Sequence, residues 1–258
     1  MSTLHRRVAT RLMICATLAV VAGCTSDDGE GAATQRLTVL AASSLTDVFT
    51  DLERVYERRY QGVDVRLTFG ASSTLAEQVV AGAPADVLAT ADLDTMHRVV
   101  DAGLVADDPV EFARNRLVLV TPSDDPGRVG GIGDLDDSAV TFAVCVPQAP
   151  CGAASRDVLQ LAGVGADPVT EEPAVRDVLT KVTSGEVDAG LVYASDALSA
   201  GDQVRTLDVP QAARALTDDV IAVLVEAQSP GPATNWVDLV TSTRGRQALR
   251  AAGFLAAG

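Results

Sequence analysis

The sequence predicts an α/β protein of two lobes, each a mainly parallel sheet flanked by helices, with a ligand cleft between them. Three observations carry that prediction. Short apolar runs alternate with amphipathic stretches of helical period. A breaker-rich segment over 122–133 separates a first such series from a second. Two strongly strand-like runs, 117–121 and 220–225, are placed to carry the chain from one lobe to the other. With 258 residues, 47% of them hydrophobic, there is material for one large or two modest cores, and a disordered chain is ruled out.

The first residues must be read apart from the rest. His5, Arg6, Arg7 and Arg11 lead into an apolar run over 12–22 that is too short to span a bilayer comfortably. This is the pattern of a secretory signal over 1–23. Its end, Val21-Ala22-Gly23-Cys24, resembles the lipobox of bacterial lipoproteins, in which the peptide is cut before a cysteine that is then acylated. The alternative is an ordinary signal peptide with an incidental cysteine. Residues 24–36 are polar and rich in Gly and Ala, as a flexible tether is. The mature protein is therefore expected outside the cytoplasm, in the periplasm or cell-wall space, held to the cell membrane by lipid on Cys24.

Losing the leader's three arginines takes the formal net charge from −15 to −18. Such an excess of acid argues against nucleic acid bound through a basic face. Of four cysteines, Cys15 lies in the leader and Cys24 is the lipidation candidate, which leaves Cys145 and Cys151. An even remainder in an oxidising compartment predicts one disulfide, two free thiols being the alternative.

The elements follow in order. Residues 37–41 form a buried strand, and Leu45, Val48, Phe49, Leu52, Val55 and Tyr56 mark the next helix by their i, i+3, i+4, i+7 spacing. Val63, Val65, Leu67 and Phe69 alternate as a strand, a helix starts near Thr74, and 86–90 is a third strand. Met96, Val99 and Val100 mark a helix that Gly103 stops. After the 117–121 strand, the second series comprises strand 140–146, helices 153–162 and 174–184, and strands 189–193 and 204–209. The 220–225 strand and two short helices around 236–240 and 246–252 close the chain. The division expected is 37–119 with 221–258 as lobe I, and 120–220 as lobe II. A cleft between two lobes suits capture of a small ligand.

Catalytic machinery is scarce. Beyond His5 in the leader, His97 is the one histidine, on a helix, where a solvent-facing role is the plainer reading. Ser44 and Ser72 lack the Gly-x-Ser-x-Gly elbow of a nucleophile, and no phosphate loop or zinc-type spacing occurs. An enzyme is not expected. Two strand-to-helix turns stand out instead. In Ala41-Ala42-Ser43-Ser44-Leu45-Thr46-Asp47, Ser44 is expected at an N-cap with Asp47 as its capping-box partner. In Phe69-Gly70-Ala71-Ser72-Ser73-Thr74-Leu75-Ala76-Glu77, Thr74 and Glu77 repeat the device. Free N–H groups at a helix start plus a serine hydroxyl hold an anion through neutral donors. Capping alone would explain either turn singly; two of them aimed at one cleft favour an anion.

Four segments together resemble the molybdate-binding proteins of ABC importers. They are Val39-Leu40-Ala41-Ala42-Ser43-Ser44-Leu45-Thr46, Gly70-Ala71-Ser72-Ser73-Thr74-Leu75-Ala76, Gly82-Ala83-Pro84-Ala85-Asp86-Val87 and Gly190-Leu191-Val192-Tyr193-Ala194-Ser195-Asp196-Ala197, and the likeness extends over 37–254. The resemblance implies a two-lobed, periplasmic-binding-protein-like fold. It also implies capture of molybdate, with tungstate as a second ligand, and delivery to an ABC permease with its ATPase. It implies a monomer with no cofactor and no metal beyond the oxyanion. The family's ligand serines fall on Ser44 and on Ser72, with Ser73 next to it. Backbone N–H donors fall on Cys151, in Pro150-Cys151-Gly152, and on Val175, and the tyrosine hydroxyl donor falls on Tyr193. Cys151 stands where the family has alanine, and the loop before it is one residue shorter.

The residue types agree with that implication. Molybdate at neutral pH is a fully ionised dianion and needs only donors, whereas phosphate keeps a proton that asks for a carboxylate, and no matched position is acidic. Nine aromatics in the chain leave few platforms for sugar or peptide. A net charge of −18 opposes any anion, so local dipoles must hold it. Within the class the alternative is a receptor for sulfate or another tetrahedral oxyanion. Outside it stand a lipoprotein enzyme acting through Ser44 or Ser72, and a sensor that never meets a permease.

Overall fold

The computed structural model describes residues 34–124 and 128–258; the expected signal peptide and Cys24 lie outside the described residues. Strand β1 (Gln35–Ala42) begins two residues inside the stretch expected as tether. It runs parallel to β2 (Val63–Gly70) and β3 (Val87–Thr90). With β4 (Val110–Asn115) and β10 (Thr217–Val223) they form one sheet in the order β2-β1-β3-β10-β4, β10 being antiparallel to both neighbours.

The second sheet repeats this plan. Strands β5 (Leu117–Pro122), β6 (Phe142–Cys145), β7 (Thr170–Glu172), β8 (Ala189–Tyr193) and β9 (Val204–Leu207) take the order β7-β6-β8-β5-β9. Here β6 is parallel to β7 and β8, and β5 is antiparallel to β8 and β9. In each sheet the fourth position is filled by the strand next to an interlobe crossing. Those crossings fall at Arg116 and Leu216, because β5 lies wholly in the second sheet and β10 wholly in the first. The expected boundaries at 119/120 and 220/221 cut through both strands and are corrected accordingly. Apolar runs locate a strand's buried centre, whereas its polar ends, such as Thr217 and Asp218, carry no hydrophobic mark.

Helices cover the sheets. The first lobe carries α1 (Thr46–Arg59), α2 (Ser72–Val80), α3 (Leu93–Asp101), α7 (Pro230–Thr241) and α8 (Thr243–Ala251). The second carries α4 (Pro150–Ala162), α5 (Val175–Thr183) and α6 (Ala194–Ala200). The periodic face of α1 buries Val48, Phe49, Leu52 and Tyr56. Phe49 and Tyr56 meet the fully buried Trp236 of α7 with ring centroids 5.5 and 5.6 Å apart, and the Tyr56 hydroxyl donates to Pro232 O at 2.9 Å. Such edge-on pairs of large rings concentrate buried apolar area where the helices cross.

Matching staples tie the parallel strands together. Asp86, just before β3, accepts from the N–H of Thr38 at 2.7 Å and of Ser229 at 2.8 Å. Asp188, just before β8, accepts from the N–H of Thr141 at 2.9 Å. The motif around Asp86 that the sequence singles out is thus structural. Strand β4, strand β7 and helix α6 were not expected. Charged residues in Val-Glu-Phe-Ala-Arg-Asn hide β4, β7 is three residues of Thr and Glu, and α6 follows β8 without a breaker.

Candidate functional site

Parallel strands point their carboxyl ends the same way, and each of β1, β2, β6, β7 and β8 leads there into a helix start. The five sequence-predicted donors come together at this point. Ser44, Ser72, Cys151, Val175 and Tyr193 line one pocket, with the first two on one lobe and the other three on the second.

Ser44 lies in a short 3-10 turn, Ser43–Leu45, ahead of α1. It is buried, and its Oγ has no hydrogen-bond partner among the described residues. The expected capping box is not formed. Leu45 holds the N-cap position of α1, and Asp47 pairs with Arg176 instead. The tight turn moves Ser44 one position upstream of the N-cap and leaves its hydroxyl to the pocket. A second expectation fails the same way. Helix α2 begins at Ser72, not near Thr74, with Ala71 at its N-cap and no side-chain cap. Ser72 is therefore the first helical residue, and its Oγ accepts the Ala91 N–H at 3.0 Å. Ser73 is buried but does not line the pocket.

In the second lobe the donors are backbone groups. Cys151 and Val175 lie in the first turns of α4 and α5, whose leading N–H groups have no intrahelical acceptor. Pro150 at the first position of α4 gives up a donor that the helix could not have used. Gly152 is required there: a Cβ would sit 1.9 Å from Val146 O. A disulfide joins Cys151 to Cys145 at the end of β6, so the start of α4 is fixed to the sheet covalently. Gly190 plays the equivalent part under α5, where a Cβ would lie 2.8 Å from a Val182 methyl.

Tyr193 ends β8 and is 1% exposed. Its hydroxyl lies near Thr217 but finds no hydrogen-bond partner among the described residues. Burial holds its pKa well above 10, so it remains a neutral O–H donor.

Among the described residues, none that lines the pocket is Lys, Arg, His, Asp or Glu. The site offers hydroxyls and helix-start amides and no carboxylate acceptor. That chemistry suits a small, fully ionised anion, stabilised by aligned dipoles and not by a counter-charge. Sequence reasoning missed Ala91, whose amide orients Ser72, and the small residues Ala42, Gly70 and Ala149 that let backbone approach the pocket. The signal for the small residues is their clustering beside the serines and Pro150; nothing marks Ala91. Among the described residues, no group of three or more His, Cys, Asp or Glu is arranged to hold a metal ion, and no helix is long and apolar enough to cross a membrane.

Comparison with known proteins places the chain. Residues 37–255 match the family described as bacterial extracellular solute-binding protein. The molybdate-binding protein ModA of Mycobacterium tuberculosis is 40% identical over 218 residues, covering 84% of either chain. ModA of Escherichia coli is 28% identical over 249 residues, 92% of this chain and 93% of that one. Among solved structures, the Azotobacter vinelandii periplasmic molybdate-binding protein superposes with a TM-score of 0.75 at 20% identity, covering 86% of this chain and all of that one. The sulfate-binding protein SubI of M. tuberculosis gives 0.74 at 17% identity, over 85% of this chain and 86% of that one, a likeness of fold alone. This chain belongs to the bacterial extracellular solute-binding protein family.

Proposed function

We propose that this protein is an extracytoplasmic receptor that captures molybdate, and tungstate with it, and hands it to an ABC permease and its ATPase. One observation carries the reading. Among the described residues, two buried hydroxyls without hydrogen-bond partners, Ser44 from one lobe and Tyr193 from the other, converge on a pocket lined with helix-start amides and with no ionisable carboxylate or cation. A dianion accepts from every donor present, whereas a protonated oxyanion would turn a proton toward groups that are themselves donors. The relatives at 40% and 28% identity, both molybdate-binding proteins, support the same ligand.

The mechanism is closure of two lobes on the anion. Ser44 and Ser72 meet it from one side, and the Cys151 and Val175 amides with the Tyr193 hydroxyl from the other. An anion that is fully coordinated only when the lobes are together shifts the equilibrium toward the closed form. We further propose that the mature chain is tethered through lipid on Cys24, which keeps it near its permease, and that it acts as a monomer without a cofactor. Uptake of radiolabelled molybdate at nanomolar concentration tests delivery: cells lacking the protein should lose it, and uptake undiminished by its loss contradicts the role. Fractionation tests the anchor, since Cys24→Ala should be released from membranes or left uncleaved, and processing and retention like the parent's would remove lipidation at Cys24.

A further inference from the structure

Beside the pocket, three charged residues form a chain across the cleft. Asp47 of α1 belongs to the first lobe, and Arg176 of α5 and Asp196 of α6 belong to the second. Arg176 Nη2 donates to Asp47 Oδ2, Nη1 donates to Ser199 Oγ at 3.0 Å, and Nε lies 2.6 Å from Asp196 Oδ1. Each member is close in sequence to a pocket residue: Asp47 follows Ser44 by three positions, Arg176 follows Val175 by one, and Asp196 follows Tyr193 by three. The fork of the guanidinium lets one side chain engage both lobes at once, which a lysine could not do with the same geometry.

The two halves of this chain differ in exposure. Asp196 is fully buried, and its contact with Arg176 lies within one lobe, where breaking it would strand a buried charge. The Asp47 side chain is 57% exposed, and its contacts with Arg176 and with Ser199 of α6 span the cleft. The first pair therefore keeps Arg176 in position whether the lobes are together or apart. The second forms only when they meet, and water can replace it when they part.

We propose that Arg176 is the positioning residue of lobe closure: anchored by Asp196, it latches onto Asp47 and holds the Val175 amide over the bound anion. The inference rests on the anion-receptor reading above and extends it to how long the anion stays. It also answers an electrostatic problem. Two carboxylates so near a dianion would weaken its binding, and Arg176 between them offsets one of those charges while using Asp196 as its anchor and Asp47 to join the lobes.

The test compares Asp47→Asn with Asp51→Asn in the full chain. Both changes remove one negative charge from α1, but Asp51 pairs with Arg54 on its own helix. If only the field of the protein mattered, either variant would bind molybdate as tightly as the parent or tighter. The latch predicts the opposite for Asp47→Asn alone: molybdate dissociates about two- to five-fold faster, the range expected for a partly exposed ion pair. Added salt should speed release from the parent more than from Asp47→Asn. Asp47→Glu, which keeps the charge, should recover much of the parent's rate. Equal dissociation rates for Asp47→Asn and Asp51→Asn overturn the latch. Amide exchange over 43–48 and 174–178 without ligand gives an independent reading. Faster exchange in Asp47→Asn than in Asp51→Asn supports the latch, and identical exchange overturns it. Failure of the parent to bind molybdate would count against the receptor reading, and the exchange comparison would still decide the latch.

Discussion

The Ser72 hydroxyl oxygen accepts the Ala91 N–H at 3.0 Å, which leaves the hydrogen of that hydroxyl free to donate elsewhere, and Ser72 lines the pocket. Ser44 has no such partner among the described residues. The two serines therefore differ in what they do when no anion is bound. In the proposed receptor Ser72 would be a structural acceptor and a ligand donor together, and Ser44 a ligand donor only.

Alanine at either serine should weaken molybdate binding roughly ten- to hundred-fold, the worth of one hydrogen bond to a charged acceptor. Stability separates them. Ser72→Ala leaves the buried Ala91 amide unpaired and should cost about 1–3 kcal/mol in urea denaturation, whereas Ser44→Ala should cost nothing measurable. Equal stability losses would show that the Ser72–Ala91 bond has no structural weight.

Tyr193→Phe should lower affinity while leaving the fold as stable as the parent or slightly more so, because the hydroxyl removed is buried without a partner. Tyr193→Ala empties a fully buried site and should cost about 3–5 kcal/mol, the usual range for a large ring. Equal losses of affinity for Phe and Ala, with both folds intact, would assign the whole effect to the hydroxyl.

The Cys145–Cys151 bridge closes so short a loop that its entropic contribution through the unfolded chain is about 2 kcal/mol. If Cys151 is a ligand donor, the larger effect should fall on the ligand, because the bridge would hold the Cys151 amide in place before the anion arrives. Thiol titration of unfolded, unreduced Cys24→Ala protein lacking its leader should find no free thiol. Cys145→Ser should weaken molybdate binding proportionately more than it lowers the melting temperature. Two titratable thiols would remove the bridge, and unchanged affinity in Cys145→Ser would separate it from the site.

Asp219 supplies a prediction in pH. It is fully buried on β10, both its oxygens lack hydrogen-bond partners among the described residues, and burial, with Asp196, Asp218 and Asp92 nearby, raises its pKa well above the ordinary 3.8. Between the ordinary value and the raised one, the folded chain holds a proton there that the unfolded chain releases. Its contribution to stability is therefore complete below the ordinary value and is lost as pH rises through the folded one. Asp196, raised by burial to about 6 against the pull of Arg176, acts in the same direction between about 4 and 6. Asp219→Asn should gain stability relative to the parent as pH rises above the ordinary carboxylate value toward the raised one, at most ~1.4 kcal/mol per pH unit. Parallel stability profiles for the two proteins would mean that Asp219 is not neutral in the fold.

Much of this was legible in the sequence, and the missing parts share a cause. Apolar runs such as 37–41 and 117–120 and the spacing of Val48, Phe49 and Leu52 reflect burial, so they locate β1, β5 and α1 directly. The serine turns were visible because small hydroxyl residues at strand ends are locally distinctive, although their capping geometry was misread: a 3-10 turn and an α-helix start carry the same residue types. What stayed hidden depends on contacts far apart in the chain. Asp47 and Arg176 are 129 positions apart, and Asp219 looks like one more surface acid until β10 is placed in the middle of a sheet. Strand β4 was missed for a related reason, since its pairing with β10 is carried by backbone and its side chains include Glu111 and Arg114.

The most direct test of the central claim is calorimetric titration of the ligand-free protein, processed and delipidated, with molybdate, tungstate, sulfate and phosphate at one pH and ionic strength. A pocket of neutral donors without a carboxylate predicts one site per chain, molybdate and tungstate bound tightly, and phosphate at least a hundred-fold weaker, or about 2.7 kcal/mol. Phosphate or sulfate bound as tightly as molybdate, or no heat with molybdate at all, would contradict it.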